Sequence, residues 1–390
     1  PIILKKYILY GSSILFSRGL EYIVLLIAPL ILAKDVYGSL EFYKKTIELG
    51  AAFFTFGLPT ILLTYPKSNN SKLYFNILSF IFIVAISFAF VPVAFVLKFQ
   101  LLIIPIIFHS LFFNNGIIPP FILTRYGSGK ASIYKSAISF LFYSIILLYL
   151  YFGSYPEFTF VYVNYYLLPV CLLAYVVVLY KQQLNFRYLK HYLRVFKKLL
   201  FGSFTLLVSN FANMMFLYTD IFIIKALSSQ ADIEIADYSF ALNISNALML
   251  VPLTLVQVDI EKLKKSPFYY KSLNKKIIGL VLIAAIMLAI LFYGLTHSYF
   301  DNYANTWYIF IVILSAKILQ SLSVLFGAKI IIAKLFSQNL LINISALTFN
   351  VFLSFILYKN FGLMVVALSS FASLLVRYLA LNILHKRLIS

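Results

Sequence analysis

One cysteine, Cys171, in a chain of 390 residues leaves no disulfide framework and no cysteine-based metal site. Acidic residues are scarce too, 12 against 32 Lys and Arg, and only 11% of residues are charged. Glycine occupies only 14 positions. The glycine-bearing signatures of soluble enzymes are absent, with neither a GxxxxGK[ST] phosphate loop nor a G-x-S-x-G elbow, and no HExxH zinc pair occurs either. What fills the chain instead is apolar: 63% of it is hydrophobic, with 40 Phe and 30 Tyr. Ordinary soluble domains are about 45–50% apolar, so the composition identifies an integral membrane protein.

A membrane helix needs about 20 mainly apolar residues. Runs of that kind predict helices near 8–33, 38–65, 73–97, 99–122, 131–153, 158–180, 198–226, 235–258, 276–296, 305–330, 335–358 and 361–384. The first run is too long for a cleavable signal and lacks a small-residue cleavage site. The abundant aromatics are expected to face lipid and the membrane interfaces.

The net charge of +20 suggests nucleic acid at first sight, but the placement of the charges argues against it. Most Lys and Arg fall in the N-terminus, the C-terminus and every second connection. The alternate connections hold only Lys34, Lys98 and Lys359, together with Asp35, Glu157, Asp232, Glu234 and Asp301. Cytoplasmic loops attract Lys and Arg, so both termini are expected inside. Some of the basic residues are expected to meet anionic lipid headgroups.

The basic connection KQQLNFRYLKHYLRVFKK, Lys181–Lys198, divides the predicted helices into two groups. The starts of the groups are alike: KKYILYGSSILFS from Lys5 and KKLLFGSFTLLVS from Lys197. The expected architecture is an all-α polytopic membrane protein of about twelve transmembrane helices. Its two six-helix lobes are related by a parallel pseudo-twofold repeat, a common transporter plan. The lobes are 1–181 and 198–390, joined by a cytoplasmic connection at 182–197, and the binding site is expected between them.

Ionisable residues inside membrane spans usually face the bundle interior or a water-filled cavity. The basic ones here are Arg18, Lys44, Lys45, Lys225, Lys317 and Arg377, and the acids associated with spans are Glu21, Glu41, Glu48, Asp220, Asp237 and Asp259. Arg18 and Glu21 share a helix face. Glu41, Lys44, Lys45 and Glu48 recur at spacings of three and four and predict one polar stripe. If the first two helices are antiparallel neighbours, Glu21 lies at the depth of Glu48, with Arg18 one turn deeper and within reach of it. Two readings follow: a structural ion network, or a site at which Arg18 takes a charged substrate group in its planar fork.

Lys317 has no acidic neighbour in sequence and is the second half's candidate anion contact. Arg377 is either a second such contact or a snorkelling side chain. Asp220 either pairs with Lys225 or binds a coupling proton or cation. Asp237 and Asp259 flank a helix as end residues. His109 is expected to be hydrogen-bonded within the bundle, with a proton relay as its other reading. NNGIIPP, Asn114–Pro120, predicts a kink or break, because proline removes a backbone donor and clashes with the preceding turn.

Several stretches, taken in order, carry a family resemblance. They are Arg18 followed by DVYG (Asp35–Gly38), FGLPTILLTYPK (Phe56–Lys67), YTDIFIIKAL with ADYSFALNIS (Tyr218–Ser245), and AKLFSQNLLINISALTFNVFLSFILYKNFGLMVVALSS (Ala333–Ser370) with Asn343, Asn350 and Gly362. In these the chain resembles a Wzx-type polysaccharide flippase, of the superfamily that also holds lipid II flippases and multidrug extruders. The resemblance implies two lobes alternating between inward-open and outward-open forms in a bacterial cytoplasmic membrane. The implied substrate is an undecaprenyl-diphosphate-linked oligosaccharide repeat unit for O-antigen or capsule. No covalent chemistry and no cofactor is implied, only a coupling ion, H+ or Na+, with Glu21, Glu48 or Asp220 as the charge-network or coupling residues. The substrate diphosphate would meet Arg18, Lys44, Lys45, Lys317 and Arg377. Polysaccharide assembly proteins and membrane lipids are the implied partners of a functional monomer. The alternatives are a cation-coupled multidrug exporter of the same superfamily and, in another class, a membrane O-antigen polymerase or ligase. The latter needs a catalytic external loop, for which the short acidic connections leave no room.

Overall fold

The computed structural model describes residues 2–64, 66, 68–113, 116–182, 189–256, 267–333 and 335–387. Several sequence features lie outside them: Lys67, Asn114, Asn115, residues 183–188 of the basic connection with Arg187, Asp259, Lys262, Lys264, Lys265 and Lys334. The side chains of residues 5–11 and 201–203, which carry much of the resemblance between the two starts, are also outside the description.

Every regular element among the described residues is helical. Nine helices there are long and apolar enough to cross a membrane: Ser12–Ile31, Asn69–Ala89, Ser128–Phe152, Pro156–Tyr180, Ala231–Val256, Tyr269–Ser298, Asp301–Ile330, Ser337–Phe361 and Leu363–Arg387. They carry large exposed apolar side chains, among them Phe152, Leu173, Met287 and Ile290. A water-soluble surface does not expose so many, whereas in lipid such side chains face a matching solvent and each helix satisfies its own backbone. The chain is an all-α, multi-pass membrane protein.

It forms two compact units. The first comprises Pro1–Leu32 with Ser39–Met214, and the second comprises Ala33–Gly38 with Met215–Ser390. In the first unit, α1 (Ile2–Ile31) packs on α8 (Ser128–Phe152), which also meets α7 (Ile118–Tyr126) and α9 (Thr159–Tyr180). α6 (Ile103–Leu111) packs on α9 and on α4 (Asn69–Ala89).

Several of the long apolar runs are broken. That at 73–97 divides into α4 and α5 (Val91–Val96), with Pro92 in the opening turn of α5, and two others break for a local reason. The run at 38–65 splits into α2 (Lys34–Phe54) and α3 (Leu58–Thr64). Gly57 takes φ 71° at the break, a left-handed conformation that glycine adopts at little steric cost, and Pro59 follows inside the first turn of α3, where its missing N–H is tolerated. The run at 99–122 splits into α6 and α7. Gly116 is so close to the backbone of Leu111 that an added Cβ would lie 2.7 Å from the Leu111 carbonyl carbon. Pro119 and Pro120 then sit in the opening turn of α7. The described part of NNGIIPP, from Gly116, therefore separates α6 from α7.

α10 (Leu189–Leu227) begins in the first unit and ends in the second. In the second unit, α11 (Ala231–Asn246) and α12 (Pro267–Ser298) both pack on α13 (Trp307–Ile332). α14 (Phe336–Phe361) and α13 both pack on α15 (Leu363–Arg387). Gly362, at φ 61°, makes the turn between α14 and α15. The opening of α2 also docks in this unit. Lys34 pairs with Asp237 at 2.6 Å and lies 4.8 Å from the centre of the Tyr303 ring, and Asn243 donates to the Tyr37 hydroxyl at 3.4 Å.

Candidate functional site

The ionisable residues of the first unit gather where α1 faces α2. Arg18 and Glu21, one turn apart, are joined at 2.6 Å through Arg18 Nη1. Glu21 reaches Lys44 Nζ of α2 at 3.4 Å through its other oxygen. Lys44 is 4% exposed, Glu21 14% and Arg18 49%. The network therefore has a buried end at Lys44 and an open end at Arg18. Lys44 also lies 5.7 Å from the centre of the Phe160 ring, a distance at which a ring face attracts a cation.

The charged residues of the expected stripe on α2 interact with one another, but their direct ion pairs differ. Lys45 turns to Glu41 on its own helix at 3.7 Å, and both are buried. Lys44 belongs to the α1 network, because adjacent helix positions point about 100° apart. Glu48, one turn beyond Lys44, lines a small cavity with Lys44, His109 and Tyr143. His109 differs from expectation. Its Nε2 has no hydrogen-bond partner among the described residues, although the ring packs against Phe113 and Phe142 beside the polar walls of that cavity.

In the second unit the charges lie at two levels of one bundle built from α10, α13, α14 and α15. At one level Asp220 is 4% exposed. Asn350 Nδ2 donates to its Oδ1 at 3.0 Å, and Ser370 and the Tyr238 hydroxyl donate to its Oδ2, Ser370 at 2.5 Å. The second hydrogen of the Asn350 amide goes to Ser370 Oγ at 3.1 Å, and Ser354 donates to Asn350 Oδ1 at 3.4 Å. A buried carboxylate is tolerated only when donors replace its water, and here three neutral donors do so. Lys225, offered by the sequence as the partner of Asp220, holds Asp232 at 2.6 Å on the exposed side.

One turn along come Phe216, Ala316, Ala346 and Leu374, a buried apolar layer. At the next level Arg377 Nε donates to Asn343 Oδ1 at 2.8 Å and Nη1 donates to Ser323 Oγ at 2.7 Å. Its guanidinium carbon lies 5.4 Å from the Phe216 ring centre. Arg377 therefore turns inward rather than snorkelling. Asn343 precedes Asn350 by seven residues and Arg377 follows Ser370 by seven, so each pair shares a helix face about 10 Å apart along the axis. Lys317, 2% exposed, donates to Gln320 at 3.0 Å on α13.

Arg18, Glu21 and Lys44 are thus brought together, with Glu48 beside them and Lys45 near enough to act on Glu21 while its direct ion pair is with Glu41. Asp220, Lys317 and Arg377 share one helix bundle. Sequence reasoning missed the neutral partners Tyr238, Asn343, Asn350, Ser323 and Ser370 as members of the site, although Asn343 and Asn350 had been singled out in the resemblance. Asparagines recurring at a spacing of seven inside an apolar span are the signal that points to them. Among the described residues no group of three or more His, Cys, Asp or Glu side chains is placed to hold a metal ion. No family model matches the chain, and no curated protein sequence matches it.

Proposed function

We propose that this protein is a flippase that moves an undecaprenyl-diphosphate-linked oligosaccharide repeat unit across a bacterial cytoplasmic membrane, for O-antigen or capsule assembly. It makes and breaks no covalent bond and works by alternating access. Twelve helices in two parallel six-helix repeats, with both termini inside, complete the reading. The coupling ion is H+ or Na+, with Asp220 and the Glu21 network as its sites.

The observation that carries the proposal is Arg377. It is a guanidinium within an apolar span whose hydrogen bonds among the described residues go to neutral oxygens alone. A cation in that setting is costly. Two neutral acceptors orient the fork and leave further N–H groups for an anionic oxygen, and guanidinium is suited to phosphate by its planar geometry. The half-exposed Arg18, tied to Glu21 by one nitrogen, offers a second fork. The resemblance of the sequence to Wzx-type flippases supplies the substrate class.

The test is reconstitution of the full chain in vesicles carrying the lipid-linked glycan, with its movement between leaflets followed by accessibility to an impermeant glycan-modifying enzyme. Movement faster than in protein-free vesicles is the expected result. A rate equal to that of protein-free vesicles would sink the proposal.

A further inference from the structure

His109 is a buried titratable group that the transport reading leaves unused. It is 8% exposed on α6. Ring centroids of Phe113, Phe142 and Phe108 lie 4.8, 5.5 and 5.8 Å from its own. Its Nε2 is a buried polar atom without a hydrogen-bond partner among the described residues, and buried polar groups are seldom left that way. The imidazole lines a small cavity whose other polar walls are Lys44, Glu48 and Tyr143. That cavity has room for about one water molecule, and its walls offer the several polar partners that a buried water needs.

The groups that face His109 can be taken element by element. α2 brings Lys44 and Glu48, and α1 brings Glu21. α8 brings Tyr143, α9 contributes only Phe160 to the lining, and α4, which also packs on α6, contributes no lining residue. Arg18, Glu21, Lys44 and Glu48 together sum to zero formal charge. A proton on His109 would make the set cationic and place a further cation, on α6, beside Glu48, whose cationic neighbours already include Lys44 on α2 and Arg18 on α1.

We propose that His109 and Glu48, bridged by a water in this cavity, form a proton-binding site whose occupancy drives the transport cycle. This rests on the transport reading above. The proton arrives from water on one side of the membrane, binds the Nε2 lone pair and returns to water on the other side. No other bond changes and no further reactant is needed. Without the proton, the cations that act on Glu48 include Lys44 on α2 and Arg18 on α1. With it, Glu48 is drawn toward α6 as well. α2 and α6 are thereby biased between two arrangements, which is what coupling to a conformational cycle requires.

The experiment is nuclear magnetic resonance of the full chain in lipid nanodiscs with 15N-labelled histidine. The sequence has four histidines, and His109→Gln identifies the signal of interest. The His109 signal is expected to change with pH as the imidazole takes up its proton, over the range in which the protein stays folded. Glu48→Gln is expected to demand at least tenfold more proton at the midpoint, because a nearby carboxylate favours the imidazolium. A signal that does not titrate, or a midpoint indifferent to Glu48→Gln, overturns the site. If His109→Gln fails to fold, the Glu48→Gln comparison on the native histidine still decides.

A second arm uses proteoliposomes. There His109→Gln should lower proton-gradient-driven movement of the lipid-linked glycan at least tenfold while exchange without a gradient continues. Full gradient-driven transport by that variant would overturn the coupling. If the native protein moves no glycan at all, the transport reading falls, and the resonance experiment decides the proton site by itself.

Discussion

Asn350 of α14 donates to Asp220 of α10 across 3.0 Å, tying two helices together at a carboxylate with almost no exposure. Ser370 brings in α15 and Tyr238 brings in α11, so four helices converge on one side chain. The carboxylate is the acceptor in every one of these bonds. This part of the second unit is therefore organised by a buried carboxyl group with neutral partners, a different device from the ion pairs of the first unit.

Asp220→Asn should accordingly destabilise the second unit. An amide turns an N–H toward donors that need an acceptor, and a hydrogen bond to a charged group contributes about 1.5–3 kcal/mol. Hydrogen–deuterium exchange should speed up in α10, α14 and α15. Lys225→Ala removes an ion pair whose two side chains are each 36% exposed, and such pairs contribute about 0–1 kcal/mol. Equal protection in the two variants would contradict the caged-carboxylate account.

The network of the first unit predicts an asymmetry between its ends. Glu21→Gln strips Lys44, a buried lysine, of the α1 carboxylate, and breaking a buried pair from one side costs about 3–5 kcal/mol. Arg18→Ala removes the exposed end and should leave thermal unfolding in detergent shifted by less than about 1 kcal/mol. On the flippase proposal that same variant should lose glycan movement. Unfolding of Arg18→Ala to the same extent as Glu21→Gln would make Arg18 a structural residue.

Gly38 tests the docking of the start of α2. A Cβ built there would lie 1.7 Å from the Asp232 carbonyl oxygen, and the obstacle is backbone, which a rotamer change cannot relieve. Overpacking of this kind costs about 1–3 kcal/mol or more. Gly38→Ala should lower the unfolding temperature and loosen the Lys34–Asp237 pair, measurable as faster exchange at the start of α11. Gly279→Ala, where nothing lies within 4 Å of the added Cβ, is the control and should behave like the native protein.

The helical class and the approximate positions of the spans were legible because apolar length is a property of contiguous residues. The breaks at Gly57 and Gly116 were only partly so. NNGIIPP signalled one, whereas the other depends on a φ of 71° at Gly57, with Pro59 as the only local hint. Arg18, Lys44 and Asp220 were legible as charges in apolar runs. Their partners were less so. Glu21 lay three residues from Arg18 and could be paired by spacing, but the donors to Asp220 come from residues 238, 350 and 370, brought together by tertiary packing. Neutral Asn, Ser and Tyr are common enough in membrane helices that sequence alone does not mark which of them surround a charge. The same applies to Lys45, whose ion pair with Glu41 is one of several that the spacing of four charges left open.

Arg377 separates charge from geometry most directly. Arg377→Lys keeps the positive charge but loses the fork that Asn343 and Ser323 hold at 2.8 and 2.7 Å. A lysine offers a point charge on a flexible stem and cannot reproduce a planar, two-nitrogen contact. If the residue only balances charge, Arg377→Lys should move glycan at the native rate. If the oriented fork receives a phosphate, transport should fall about tenfold or more, the equivalent of roughly 1.4 kcal/mol, with thermal stability little changed. Arg377→Gln supplies the reference for loss of both charge and fork. Vesicle transport rates for the three proteins, normalised to folded protein, decide between the two, and a lysine variant as fast as the native chain would remove Arg377 from the proposed substrate contact.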